Sequence, residues 1–273
     1  MRRLLLSLAA AASSFTPASA EPSPPPAPMT AEQSDLQAAD LEQNTLFAEA
    51  RTPAERQLAA QRVDQLYAGL ETKYPRSATV RDAHADYLWL ANRKDEAFAK
   101  WQEAAKLDGN DPDICFHLGA CYIENGDTLR ATACFQRASD LAPDDPLLHF
   151  QLGNDLYLFR HDLTTPAQPE TAIIDRALAE LKRASDLAPR NPGYAKGYAD
   201  TFYSIPVPRW PEALKAWQHF YEISPEKDLA SINLARVSLE MNDKPAARRY
   251  LARVNSPGFQ PLKQKLMRQA TQP

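Results

Sequence analysis

The sequence predicts an all-α chain built as a stack of helix hairpins. Three observations carry the prediction. One hairpin pattern recurs along the chain at a nearly fixed spacing. Within each copy, small residues on one helix face large residues on the next. Glycine is scarce, at eight residues in 273, while alanine is abundant.

The clearest copy lies between Pro112 and Pro143. Leu118 and Tyr122 are four apart and share one helix face. Gly119 has no Cβ and lets a second helix approach. Ala131, Phe135 and Ala138 form the matching stripe, small, large and small, which packs without voids. Gly126-Asp127 ends the first helix and starts the second. Pro143 stops the second.

Stepping back 34 residues, Ala131 maps to Ala97, Phe135 to Trp101, Ala138 to Ala104 and Gly126 to Asn92. Stepping forward 34, Leu118-Gly119 maps to Leu152-Gly153. The heptapeptide Arg137 to Pro143 recurs identically as Arg183 to Pro189, 46 residues on, so that copy holds 12 extra residues. The next step is 36, and the last, Ala213 to Ala247, is 34 again. End copies depart from the pattern, with His84-Ala85 and Leu234-Ala235 at the Leu-Gly position.

These residues and this period resemble the tetratricopeptide repeat, whose unit is about 34 residues. The resemblance implies a right-handed superhelical α-solenoid of tetratricopeptide-like hairpins. It also implies a protein or peptide partner held in a concave groove. Five repeats are expected at 78–111, 112–145, 146–191, 192–227 and 228–256. A degenerate helix pair precedes them at 30–75, with Thr30 and Thr52 as caps and Pro53 in the first turn. Pro257-Gly258 breaks the chain, and a capping helix and tail follow over 257–273.

The first helix of each hairpin would line the groove. Repeat spacing nominates Asp86 and Trp89, then Phe116, Ala120 and Ile123, then Phe150, Asn154 and Tyr157. Lys196, Asp200 and Tyr203 continue the series, followed by Ile232 and Arg236. Exposed aromatics anchor peptides well, because they bury a large area with little rotamer entropy. Some family members grip a C-terminal carboxylate with lysine and asparagine in successive repeats. Lys196 stands in a suitable row, but Asp200 follows it instead of asparagine. Two inter-helix turns are long, 160–169 and 204–211, and both are expected on the same edge of the stack.

No catalytic or cofactor pattern is present: there is no phosphate loop, Gly-x-Ser-x-Gly or His-Glu-x-x-His. His117 and Cys121 share a helix face, but two ligands without a third make no metal site. Cys115, Cys121 and Cys134 lie in one repeat and read as small apolar residues. Cys115 and Cys121 are roughly 9 Å apart along one helix, too far to bridge, whereas a bridge from Cys134 to either is left open by the spacing.

The N-terminus reads as an export leader over residues 1–20. Arg2-Arg3 is the charged start, Leu4 to Ala12 the apolar run, and Ala18-Ser19-Ala20 the cleavage site. Residues 21–29 form a proline-rich linker. A periplasmic or secreted destination is expected. Residues 21–243 hold 22 basic and 35 acidic side chains, which argues against nucleic acid as a partner. Residues 244–273 hold seven basic side chains and no acid. Arg248, Arg249, Arg253, Lys263, Lys265 and Arg268 therefore offer a second docking surface, toward an anionic partner.

Overall fold

The computed structural model describes residues 29–272. The expected leader, and the linker up to residue 28, lie outside them. Fourteen α-helices and one 3-10 turn are found among the described residues, with no strand. The chain divides into two compact units, the first ending at Leu66 and the second beginning at Tyr67.

The first unit holds α1 (Ala31–Glu49) and the start of α2 (Pro53–Lys73). Thr30 and Gln33 close a reciprocal capping box on α1. Thr52 and Glu55 repeat it on α2: the Thr52 hydroxyl accepts from the Glu55 N–H at 3.2 Å, and the Glu55 carboxylate accepts from the Thr52 N–H at 2.8 Å. Apolar cover is thin, since Ala39 is the only buried residue of α1.

The second unit is a solenoid. Its hairpins are α3 (Ala78–Leu90) with α4 (Lys94–Leu107), α5 (Pro112–Glu124) with α6 (Thr128–Leu141), and α7 (Pro146–Leu158) with α9 (Glu170–Leu187). Next come α10 (Pro192–Thr201) with α11 (Trp210–Ile223), and α12 (Lys227–Glu240) with α13 (Lys244–Ala252). The one-turn helix α8 (Arg160–Leu163) lies inside the third hairpin. A 3-10 turn, Pro257–Phe259, leads into the last helix, α14 (Gln260–Thr271). Each helix packs on its hairpin partner, and each second helix packs on the first helix of the next hairpin.

Local chemistry fixes the ends of these helices. Asp111, Asp145 and Asn191 cap α5, α7 and α10, and a proline follows each at the first helical position. Gly126 ends α5 with φ 75°, in the left-handed region. Its N–H donates to the Ile123 carbonyl at 3.0 Å, and the Asp127 N–H donates to Tyr122 at 2.9 Å. Asn92 and Asn242 make the same pair of bonds at φ 61° and 58°, asparagine being the side chain that best tolerates this backbone.

The recurring heptapeptide has a structural task. Arg137 Nε donates to the Gly109 carbonyl at 2.9 Å, and Arg183 Nη2 donates to the Pro143 carbonyl at 3.4 Å. Each arginine thus holds the turn that precedes its own hairpin.

Packing inside the hairpins follows the small-against-large rule. A Cβ on Gly119 would come within 2.6 Å of the Phe135 ring. One on Gly153 would meet Leu181 Cγ at 2.7 Å, with the Ala177 carbonyl oxygen and Leu181 nitrogen both at 3.0 Å. Alanines 85, 199 and 235 occupy the same register and are completely buried.

The two long turns are tied down rather than merely protruding. In 160–169, Leu163 is buried with Leu156 and Ile173, and Arg160 Nε donates to Glu170 at 3.0 Å. In 204–211, Ile205 is buried in the cluster around Trp217, and Arg209 pairs with Asp175. Trp210 packs on that cluster too, its ring centroid 6.1 Å from that of Tyr203.

Candidate functional site

The nominated groove residues fall into three rows along the first helices, at i, i+4 and i+7 of each hairpin. The first row is Phe116, Phe150, Lys196 and Ile232, with Asp82, not itself nominated, at the matching position of the first hairpin. The second is Asp86, Ala120, Asn154, Asp200 and Arg236. The third begins Trp89, Ile123, Tyr157 and Tyr203.

The second row is the accessible one. Asp86, Asp200 and Arg236 are exposed, while Ala120 and Asn154 are half-buried. In the third row all four side chains are half-buried, and cations cover the three aromatic faces. Lys94 lies 4.8 Å from the Trp89 ring centroid, Arg160 4.9 Å from Tyr157 and Arg236 4.2 Å from Tyr203. Such contacts hold an aromatic ring in place at a partly exposed site. The Tyr203 hydroxyl also donates to the Asn233 carbonyl at 3.0 Å.

The first row serves packing more than access. Phe116 lies against Phe135 and His117, with centroids 5.8 Å away in both cases. Phe150 fills the space left by Gly197 of the next hairpin, where a Cβ would meet its ring at 2.5 Å, and it contacts Tyr194. Lys196 donates to Asp200 at 2.6 Å, one turn along the same helix. Ile232 does not face the groove. It is 2% exposed and sits in the cluster under α14 with Ala235, Leu251 and Leu266. The cause is the final helix, which covers a face that earlier hairpins leave open.

One constellation lies across two hairpins, so sequence spacing could not reveal it. His117 on α5 stands between Asp82 and Asp86 on α3. Its Nδ1 is 3.1 Å from Asp82 Oδ1 and its Nε2 is 3.6 Å from Asp86 Oδ1. The Trp101 indole N–H donates to the same Asp82 oxygen at 2.9 Å, and its ring lies tilted against His117, centroids 4.7 Å apart. Burial alone would lower the His117 pKa; the hydrogen bond it donates to Asp82 and the charges of Asp86 and Asp82 outweigh it and raise it. The only signal in the sequence was Asp82 and Asp86 one turn apart.

The three cysteines are free thiols. Burial pushes Cys121 up to about 12 and Cys134 up to about 11, and raises Cys115 as well. Thiols so poorly ionised are weak nucleophiles and weak metal ligands.

The basic C-terminus is partly spent on structure. Lys244 donates to the Gln272 carbonyl and Arg248 to the Ala270 carbonyl, each at 2.8 Å, so two cations close the end of α14. Lys263 donates to the Val254 carbonyl at 2.7 Å, and Arg253 lies over Tyr221 and Tyr250.

Residues 88–151 match the tetratricopeptide repeat family. The chain thus carries tetratricopeptide repeats there, and its helices stack as in a tetratricopeptide solenoid. Its fold is similar to that of YrrB, described as a tetratricopeptide repeat protein with an unusual peptide-binding site. The TM-score is 0.54 at 19% identity, over 68% of this chain and 89% of that one. PilF of Pseudomonas aeruginosa is similar with a TM-score of 0.53 at 15% identity, over 85% of this chain and 99% of that one. At the sequence level, 108 residues are 32% identical to the BBSome complex member BBS4 of Bos taurus. That match covers 38% of this chain and only 18% of the length of its relative.

Proposed function

We propose that this chain is a non-enzymatic scaffold of the cell envelope that holds a segment of a partner protein along its first helices. The observation carrying this reading is the pairing of two rows on one face. A ridge of apolar and aromatic side chains, Trp89, Ile123, Tyr157 and Tyr203, runs beside a polar track, Asp86, Asn154, Asp200 and Arg236, which only Ala120 interrupts. The ridge supplies area and the track supplies hydrogen bonds and charge, the two things that an extended segment needs. The peptide-binding site ascribed to YrrB supports this use of the fold.

A photo-crosslinking side chain placed at Ala120 or Asn154 is expected to capture a partner segment, identified by mass spectrometry. The same group at Glu103 or Lys182, on the second helices, is expected to capture none of it. Equal capture from both faces, or none from the first helices, would remove the groove from the proposal.

The envelope location rests on the leader-like residues 1–20. Expressed in a Gram-negative host, the protein is expected in the periplasmic fraction with an intact mass beginning at Glu21. A full-length chain retained in the cytosol would contradict it.

A further inference from the structure

We infer that Asp82, Asp86 and His117 form a binding site for a divalent transition-metal ion, zinc being the best fit, between the first and second hairpins. The inference stands apart from the groove reading and needs no partner protein.

The three residues offer two carboxylates and one imidazole, and their ligand atoms all lie within 4.8 Å of one another. Ligands about 2.0–2.2 Å from one tetrahedral zinc are themselves roughly 3.3–3.5 Å apart. Nδ1 stands 3.1 Å from Asp82 and Nε2 3.6 Å from Asp86, near that spacing but on different ring nitrogens, so a single ion needs the ring to turn. Turned in that way, one nitrogen would face both carboxylates, whose ligand atoms already lie within 4.8 Å of it. An all-oxygen cage would favour calcium or magnesium, whereas an imidazole in the set favours zinc and its neighbours.

The surroundings are those of an oriented ligand set. The Trp101 indole N–H donates to Asp82 Oδ1, the oxygen that His117 faces, and so orients the carboxylate as outer-shell donors orient metal-binding ones. The Trp101 ring supports the imidazole face. Asp86 is half-exposed and the His117 side chain 25% exposed, so an ion can enter and keep a water as its fourth ligand. Two acids from α3 and one base from α5 leave the site short of positive charge. On binding, a protonated His117 gives up one N–H proton to solvent and that nitrogen bonds the ion. The ion would then tie the first hairpin to the second through α3 and α5.

Chelator-treated protein titrated with zinc sulfate in a calorimeter is expected to bind one ion per chain. Zinc is expected to raise the melting temperature, and chelator to reverse the rise. Asp86→Asn and His117→Gln should each weaken binding at least about ten-fold. Asp86 is half-exposed, so Asp86→Asn keeps the fold, and circular dichroism checks both variants. Cobalt gives a second readout: ligand-field bands without a thiolate charge-transfer band are expected. No binding by the wild-type chain, a thiolate band, or affinity unchanged in both variants would overturn the site.

Discussion

Asp155→Thr is expected to stabilise the protein by about 2–3 kcal/mol at neutral pH and to flatten its stability below neutrality. Asp155 is 2% exposed, on α7. One carboxylate oxygen accepts from the Thr132 hydroxyl at 2.5 Å, and the other has no partner. Burial lifts its pKa from 3.8 to about 6 and the Thr132 hydrogen bond opposes the rise. Between about pH 4 and pH 6 the native state holds a proton that the unfolded chain has released. The unfolding free energy therefore falls as pH rises through that window, and the deficit is complete above about 6. A shift of about two units corresponds to about 3 kcal/mol.

The chain itself supplies the remedy. Thr201 is the same position in the fourth hairpin, and its hydroxyl donates to the Gly197 carbonyl one turn back at 2.9 Å. A threonine at 155 can bond to its own helix in that way. Thr132 also loses little, because its hydroxyl proton can turn to the Thr128 carbonyl, 2.9 Å away. Urea midpoints measured across the acid range check the prediction. A variant as pH-sensitive as the parent, or less stable at neutral pH, would show that the carboxylate is solvated or paired in solution.

Gly153→Ala is expected to act in the other direction, lowering stability by about 2 kcal/mol. In an ordinary helix this change would gain about 1 kcal/mol from propensity. Here the added methyl meets Leu181 Cγ at 2.7 Å, and the Ala177 oxygen and Leu181 nitrogen at 3.0 Å. A leucine tip can turn aside, but the backbone of α9 cannot. The two helices must separate along their length, and overpacking of this kind costs about 1–3 kcal/mol or more. Gly119→Ala is the milder comparison, since the three nearest atoms it meets all belong to the Phe135 ring and none to a backbone. The difference in denaturation midpoint between the two variants is the measurement. Equal midpoints would mean that the backbone contact carries no cost.

Much of this architecture could be read from residues three or four apart. The Asp-Pro and Asn-Pro starts, the Gly126 and Asn92 stops and the small–large stripes act within one or two turns of helix. They have the same meaning wherever the hairpin is placed. Five copies then fix the order of stacking, because each hairpin can bury its stripe only against its neighbours. The departures from expectation have a common origin in contacts between hairpins or with the last helix. Phe150 had the spacing of a groove residue, yet it fills the notch at Gly197, a contact 47 residues away. Ile232 had the spacing as well, but α14 covers it.

Sequence by itself determined the period, the helix ends and which side of each helix is apolar, since those follow from local hydrogen bonding and helical geometry. Only the tertiary structure decided that His117 stands between two aspartates of the preceding hairpin, that Asp155 is left half-bonded in the core, and that Lys244 and Arg248 cap α14. Each depends on the angle at which one hairpin or helix lies on another. That angle is set by the summed packing of many side chains and is written in no single stretch of residues.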